Sequence, residues 1–258
     1  MKKSYSKSKS WTRIILIQRN SNESTRSKKQ NYVIIALFFV FSSVYGQLPS
    51  NLKVGSYKSF DDLLNNIPQY ECNFQISQRS EVDIKMVAGN DFSVISDSGQ
   101  IKKSVINSNT FAVFDGENLY LNGKHINGRK HYCLVENNQR YLILKAGIPT
   151  SSKSWELGYD DRMIQTISGI SVVAGGAIGG AISGAQLAMV RFYYIVDSKT
   201  GNVKILSKDY LTSLLKNYPD LKSHFESEKD TENQVVLLKY IKKINGETNT
   251  LIIQQIEN

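Results

Sequence analysis

A run of 28 residues without a charged side chain, residues 163–190, separates Arg162 from Arg191. Glycine recurs in this run at spacings of four, at Gly175, Gly176, Gly179, Gly180 and Gly184. On a helix, this spacing gives a smooth face that a second backbone can approach closely. The run is also longer than the roughly 20 residues that a helix needs to cross a bilayer. It therefore limits how the segments on either side can be arranged.

The same run is also compatible with packing inside the protein. Its large apolar side chains are few, and each glycine costs a helix in water about 1 kcal/mol relative to alanine. The run lies between residues 141–144 and 192–196, which are both predicted to be strands of one sheet. A single crossing would put these strands on opposite sides of a membrane, whereas a re-entrant hairpin or contact with partner helices would not. Membrane contact, self-association and a buried or surface insertion all stay open.

Residues 1–46 are predicted to be a basic leader that ends in a signal segment. The leader begins with a stretch rich in Lys, Ser, Arg and Asn, a composition typical of disorder. An uncharged apolar stretch at 32–41 follows two lysines and precedes small residues up to Gly46. These are the three regions of a secretory signal. We predict cleavage after Gly46, a single exported domain over 47–258, and a location in the periplasm or cell envelope. An uncleaved signal anchor is the alternative.

The net charge of +9 is concentrated in this leader. Residues 1–46 carry nine Lys or Arg and one acid, Glu23, which leaves 23 basic and 22 acidic residues for the rest of the chain. The predicted mature part therefore has a balance of only +1. A nucleic-acid-binding domain needs a basic face of its own. The distribution of charge thus argues against nucleic acid as a partner.

Successive hairpins predict an antiparallel sheet. The clearest one joins residues 111–114 to 119–121 through Asp115-Gly116, a pair that supplies the positive φ of a hairpin turn. Two more hairpins are predicted to pair 132–135 with 141–144 and 192–196 with 203–206. Alternation of apolar and polar residues predicts further strands at 74–76, 82–86 and 92–95. Hairpins that follow one another in this way indicate a β-meander.

Helices are predicted before and after the strands in the sequence. A short N-terminal helix begins at Phe60, because Ser59 can cap its free amides, and it ends before Pro68. The section 207–246 is predicted to be helical, and its last helix is expected to stop at Asn245-Gly246. A final strand is predicted at residues 251–253. The predicted fold class is α+β: an antiparallel β-meander with a short N-terminal helix, a Gly-rich apolar helical insertion and C-terminal helices.

Two cysteines, Cys72 and Cys133, belong to the predicted mature part. In an oxidising compartment, a disulfide between them would close a loop of about 60 residues, worth roughly 4 kcal/mol by chain entropy. The alternative is a pair of buried thiols that act as small apolar side chains. Spacing alone does not choose between the two, because it does not show that the cysteines meet.

No catalytic, cofactor or metal motif stands out in the sequence. The histidines, His125, His131 and His224, lack the spacing of a zinc site. The sequence has no Gly-x-Ser-x-Gly nucleophile elbow, and its glycine run lacks the Lys-Ser/Thr ending of a phosphate-binding loop. The glycine run does not follow the dinucleotide-binding fingerprint either. We therefore expect a protein that is not an enzyme and has no cofactor.

Four stretches of the chain resemble a known group of proteins. They are the signal ending 44–46 before Gln47, residues 55–62 with Pro68, the strand 118–122 after Asp115-Gly116, and the Gly-rich run with 194–201 and 214–220. In these stretches, which cover most of the mature part, the chain resembles a group of uncharacterised exported proteins of Bacteroidetes. The resemblance implies export and no established activity, so it implies no catalytic residue.

Two classes of function follow. The preferred hypothesis is an exported, envelope-associated structural or interaction protein whose Gly-rich segment contacts a membrane or another copy. The alternative is a soluble periplasmic binding module whose sheet holds an apolar ligand or peptide. A concave pocket flanked by aromatic side chains would favour the alternative, whereas a continuously filled core inside the sheet would count against it. An enzyme is the third and least favoured class.

Overall fold

The fold combines helices with an antiparallel sheet. The computed structural model describes residues 48–97, 99, 101–168 and 184–257. Within these residues nine strands form one sheet, and every strand pair is antiparallel. The strands are β1 (Gly55–Tyr57), β2 (Phe74–Gln78), β3 (Phe92–Ser96), β4 (Ala112–Phe114), β5 (Leu119–Asn122), β6 (Tyr132–Asn138), β7 (Tyr141–Ala146), β8 (Phe192–Asp197) and β9 (Val203–Ile205). The predicted α+β class is confirmed.

Helices lie between the strands and at the C-terminal end. They are α1 (Phe60–Leu64), α2 (Glu81–Val87), α3 (Lys103–Asn109), α4 (Gly123–Ile126), α5 (Ser151–Leu157), α6 (Arg162–Ser168), α7 (Lys208–Leu215), α8 (Pro219–Glu226) and α9 (Gln234–Glu257), and residues 184–189 are also helical. The predicted N-terminal helix is confirmed as α1. Ser59 caps it through a bond from the Asp62 amide, and the Asp62 carboxylate accepts the Ser59 amide in return.

The strands from β4 to β9 lie in the sheet in the order in which they occur in the chain, and β1 pairs with β4. The hairpin of β2 and β3 departs from a simple meander, because it joins the sheet through the pairing of Phe92 with Tyr132 on β6. The predicted Asp115-Gly116 turn is confirmed. Gly116 has a φ of 106°, and the Asp115 carboxylate accepts the amides of Glu117 and Asn118.

The sheet curls around the largest apolar cluster. This cluster takes side chains from β1 and from every strand between β4 and β9, including Tyr57, Leu121 and Tyr194. The two ends of the sheet meet around it. Phe60, which follows β1, lies against the β8–β9 turn so closely that a Cβ at Gly201 would be 2.7 Å from its ring. The inner side of the sheet is therefore filled by side chains rather than open to a ligand.

Two further apolar clusters cover the outer side of the sheet. The helices α7, α8 and α9 pack on β7 and β8, where they bury Ile143, Ile195 and Leu211. The β2–β3 hairpin and α3 pack on β4, β5 and β6 around Ile106 and Tyr132. Burial of each such aliphatic or aromatic side chain contributes about 1.5–3 kcal/mol, so the C-terminal helices are an integral part of the fold.

Two predictions for the C-terminal section are wrong. Asn245-Gly246 does not stop a helix, because α9 continues through it to Glu257, and the strand predicted at 251–253 lies within the same helix. The reason is a tertiary contact. Asn245 is fully buried, and its side chain binds both the amide and the carbonyl of Tyr141 at the start of β7. Asparagine is a residue that often ends helices, but here the contact with Tyr141 holds Asn245 in the helix interior.

The strand predicted at 82–86 is also wrong, because these residues belong to α2. The alternation of Val82, Ile84 and Met86 has the period of a strand, yet only Ile84 is buried. Ser80 caps the helix by accepting the Asp83 amide, and this local signal outweighs the alternation. Val82 and Met86 lie on the side of α2 opposite Ile84 and are 64% and 81% exposed.

Candidate functional site

Two buried asparagines organise one rim of the sheet. Asn90 precedes β3, Asn127 follows α4, and each is fully buried. The Asn127 amide nitrogen donates to Asn90 at 2.9 Å and to the carbonyl of Gly147 at 2.9 Å, while the Asn90 oxygen accepts the Gly147 amide at 3.0 Å. The Tyr194 hydroxyl also donates to the Gly147 carbonyl at 2.8 Å. Paired polar groups of this kind fix the loops that carry them.

The backbone around this network is tightly constrained. Ala88, Gly89 and His131 adopt positive φ values of 54°, 93° and 72°. Gly123 accommodates Asn90, because a Cβ at residue 123 would lie 1.8 Å from the Asn90 side-chain nitrogen. Non-glycine residues with positive φ carry strain, and strain of this kind concentrates at functional sites. The loops after α2 and α4 therefore meet at a rigid, strained junction.

Arg191 fastens the end of the Gly-rich run to this junction. Its guanidinium contacts the Asp91 carboxylate at 2.6 and 2.9 Å and donates to the carbonyls of Ala188 and Val190. Both side chains of the ion pair are mostly buried, at 15% and 26% exposure. Both bonds to Asp91 end on the same carboxylate oxygen, Oδ1, and charge-assisted hydrogen bonds of this kind are stronger than neutral ones. The chain that leaves the Gly-rich run is thus held against the corner between α2 and β3.

A cleft of about 380 Å³ opens beside this junction, and we call it the rim cleft. Its walls come from five separate parts of the chain. They are formed by Ala88, Gly89, Arg129, Gly147, Ile148, Tyr159, Asp161, Ile164, Gly184, Leu187 and Ala188. Most of these residues are apolar or glycine, and the polar side chains are few. This composition, with a volume within the 300–1,000 Å³ usual for ligand sites, is typical of a small-molecule or peptide-binding site.

Three polar side chains give the rim cleft its chemistry. Arg129 is partly buried and donates from Nε to the carbonyl of Ile148 at 2.9 Å and from Nη2 to the carbonyl of Pro149 at 3.4 Å. Tyr159 is partly buried, and burial together with a hydrogen bond to the Asp161 carboxylate raises the pKa of its hydroxyl. Tyr159 is therefore a neutral donor at physiological pH. The site offers one cation, one exposed carboxylate and a neutral phenol.

His131 lies behind this junction and stays uncharged. Burial, followed by the positive charges of Arg79, Lys103 and Lys130, lowers the pKa of its imidazole to about 4, and the negative charge of Asp83 opposes this only weakly. Within the part of the chain that the structure describes, no group of three His, Cys, Asp or Glu side chains is placed to hold a metal ion.

A second concavity of about 300 Å³ lies between α6 and the starts of α7 and α9. Five of its eleven lining residues are charged, namely Asp160, Arg162, Lys208, Asp209 and Glu232. Arg162 pairs with Asp160, and the Arg162 side chain is 88% exposed. Exposed ion pairs of this kind contribute little energy to binding or stability. We therefore regard the rim cleft as the stronger candidate.

The structure describes only part of the predicted interaction segment. Gly184 lies in the rim cleft, is exposed, and has open space where a Cβ would point. The remaining predicted glycines, Gly175, Gly176, Gly179 and Gly180, lie outside the described residues, as does the predicted leader, residues 1–46. Within the described residues, no helix is long and apolar enough to cross a membrane.

Cys72 and Cys133, for which the sequence leaves a disulfide and two separate thiols open, are both free thiols in the structure. Cys133 is buried in the cluster inside the curled sheet, whereas Cys72 packs on the cluster outside it. The two side chains are thus on different faces of the sheet. Burial raises the pKa of the Cys133 thiol, which makes it an unreactive apolar side chain.

The residues that form the rim cleft were not singled out as a site by the sequence. Arg129, Tyr159 and Asp161 lie in loops or at helix ends and come from regions separated by about 30 residues. The closest hint of this cleft in the sequence was that Ile164 and Gly184 belong to the uncharged run, residues 163–190. That signal pointed to the run itself rather than to the cleft at its base.

Comparison with known proteins gives one match. The model of a family of unknown function, DUF6563, matches residues 55–248. No curated protein and no solved structure matches the chain.

Proposed function

Because the chain belongs to the DUF6563 family of unknown function, whose name carries no activity, we propose a function from its geometry: an exported, non-enzymatic binding module that holds an apolar ligand or peptide in the rim cleft. The observation that carries this proposal is the cleft itself. It combines about 380 Å³ of mostly apolar space with a small number of polar side chains.

The rigidity of the surrounding loops supports a binding role. The network of Asn90, Asn127 and Gly147 and the ion pair of Arg191 with Asp91 fix three walls of the cleft. A preformed site loses less conformational entropy when a ligand binds, so more of the contact energy appears as affinity. The binding module expected from the sequence would hold its ligand on the sheet itself, and the filled interior counts against that version, because the cluster around Leu121 occupies the inner side of the sheet. The proposed site therefore lies at the rim of the sheet and not inside it.

The test is to fill the cleft with a side chain. Gly184→Phe places a ring in open space, because no atom lies within 4 Å of its Cβ position. Gly246→Phe is the matched control, since Gly246 is also an exposed helical glycine with open space around it but lies on α9. Binding of the uncharged apolar dye Nile red is measured by fluorescence. We expect Gly184→Phe to weaken dye binding about tenfold or more and Gly246→Phe to leave it unchanged. Equal binding by both variants would refute the rim cleft as the site.

The second candidate function is membrane contact or self-association through the Gly-rich segment, residues 163–190. Both described ends of this segment favour it, because Ile164 on one side and Leu187 on the other line the same cleft. The segment thus leaves and re-enters the domain at one place. This arrangement is incompatible with a single bilayer crossing, so the candidate is restricted to re-entrant or surface contact, or to contact with a second copy.

Replacing residues 169–183 with a Gly-Ser linker of the same length tests this candidate. The substitution leaves Ile164, Leu187 and Val190 in place, which matters because they pack in the core. Loss of sedimentation with membranes, or a decrease in oligomeric mass by light scattering, would support the candidate. Unchanged behaviour in both assays would eliminate it. Sequencing the N-terminus of the secreted chain tests export, for which we expect a mature protein that begins at Gln47.

A further inference from the structure

We propose that the rim cleft recognises a carboxylate attached to an apolar group, and that Arg129 is the residue that binds this carboxylate. The inference rests on the proposed binding function and adds the chemical class of the ligand. It depends on the placement of one cation in a mostly apolar cleft.

Arg129 is held in place without being neutralised. Its Nε and Nη2 atoms donate to the main-chain carbonyls of Ile148 and Pro149, and its own amide donates to Asn127 in the buried network. Among the described residues, no carboxylate lies within ion-pair distance of Arg129, and its Nη1 atom makes no hydrogen bond. Arg140 and Arg191 each have an aspartate partner, whereas Arg79, which is also partly buried, donates among the described residues only to backbone carbonyls and does not border the cleft.

An unpaired cation in such surroundings favours an anionic ligand. Arg129 is partly buried, and the cleft beside it is walled by Ile148, Ile164 and Leu187. A guanidinium that is removed from water gains most when a carboxylate replaces its hydration with charge-assisted hydrogen bonds. The planar fork of arginine suits the two oxygens of a carboxylate better than a single neutral acceptor. The apolar walls would then cover the remainder of the ligand.

Asp161 does not cancel this preference. Its carboxylate also borders the cleft, but it is exposed to solvent. Water screens an exposed charge, so the repulsion between Asp161 and a bound anion is weak. Two ligand sources share the proposed chemistry, a fatty acid and the C-terminus of an apolar peptide.

The experiment measures binding of matched acids and amides to the full chain by isothermal titration calorimetry. The probes are decanoate and decanamide, and N-acetyl-Leu-Leu as the free acid and as the amide. We expect each acid to bind about tenfold or more tightly than its amide. Tighter binding of decanoate than of the peptide acid would identify a fatty acid as the source, and the opposite order would identify a peptide terminus.

Two variants with opposite expected effects complete the test. Arg129→Gln should remove the preference for acid over amide, while Asp161→Asn, which leaves the bonds of Arg129 intact, should keep or increase the affinity for the acid. A loss of acid binding in Asp161→Asn would overturn the proposal, because it would show that a cationic group of the ligand is recognised. Equal binding of acid and amide by the unaltered protein would also overturn it but would leave the binding function intact. If no probe binds and Nile red does not bind either, the proposed function fails as well.

Discussion

Substitution of Asn245 should strongly destabilise the protein, although Asn-Gly at 245–246 has the composition of a helix end. The Asn245 side chain accepts the amide of Tyr141 at 2.9 Å and donates to its carbonyl at 3.0 Å. Asn245→Ala would leave both of these buried backbone groups without a partner. Each orphaned group costs about 1–3 kcal/mol, so we expect the free energy of unfolding to fall by about 2–6 kcal/mol. That is a large part of the stability of a typical domain.

The neighbouring glycine provides a control of opposite sign. Gly246 is exposed, lies inside α9, and is not among the glycines with positive φ. Gly246→Ala should therefore stabilise the protein by about 0.5–1 kcal/mol, because alanine loses less backbone entropy in a helix. If Asn245-Gly246 ended the helix instead, a left-handed glycine would be replaced and the same substitution would destabilise.

Urea unfolding followed by far-UV circular dichroism measures both variants. A fall in the midpoint at constant m-value is expected for Asn245→Ala, and a rise for Gly246→Ala. A change of less than about 1 kcal/mol in Asn245→Ala would refute the role of the buried amide. Destabilisation by Gly246→Ala would refute a continuous α9.

Three further predictions concern other parts of the domain. The pKa of His131 is lowered to about 4 in the folded state, so between pH 6.5 and about 4 the unfolded state binds more protons and the free energy of unfolding decreases as the pH is lowered. His131→Asn, which tolerates the same positive φ, should reduce this pH dependence in urea unfolding at several pH values, and an unchanged dependence would contradict the assignment. In native protein a thiol reagent should modify Cys72 but leave Cys133 unreacted until the protein unfolds. Mass spectrometry counts the labels on each molecule, and rapid labelling of both cysteines would contradict the burial of Cys133. Arg191→Met should lower the free energy of unfolding by about 2–4 kcal/mol, because it leaves the Asp91 carboxylate without its partner. The double variant Arg191→Met, Asp91→Asn should recover part of that loss, and strict additivity of the two substitutions would exclude the coupling.

The sequence was informative where local chemistry decides the structure. Ser59 predicts the start of α1 through its cap, and Asp115-Gly116 predicts the β4–β5 turn through its positive φ. The hairpin strands of the region from β4 to β9 follow from apolar runs separated by turn residues. In each case the signal and its effect lie within about ten residues of each other.

The wrong predictions have three different causes. α2 was mistaken for a strand because Val82 and Met86 are apolar yet exposed, so their alternation does not report burial. α9 continues through Asn245 because a strand 104 residues away satisfies its side chain. α3 was missed because it buries only Ile106, too little to give a helical pattern.

The rim cleft could not be predicted because its chemistry is assembled from loops that meet only in the fold. Arg129 and Ile148 approach each other through the buried pair of Asn90 and Asn127, and neither asparagine has a distinctive sequence context. A partly buried arginine without an acidic neighbour can be recognised only when burial and distances are known. The uncharged run, residues 163–190, borders the cleft through Ile164, Gly184 and Leu187 but does not point to its polar residues.

The most direct test of the rim cleft is a nuclear magnetic resonance titration of ¹⁵N-labelled protein with decanoate. The proposed site predicts that the largest amide shifts occur at residues 89, 129, 147, 159 and 184, which line the cleft but are spread along the chain. Shifts centred on α9 or on the charged concavity near Arg162, or no shifts at saturating decanoate, would contradict the rim cleft as the binding site.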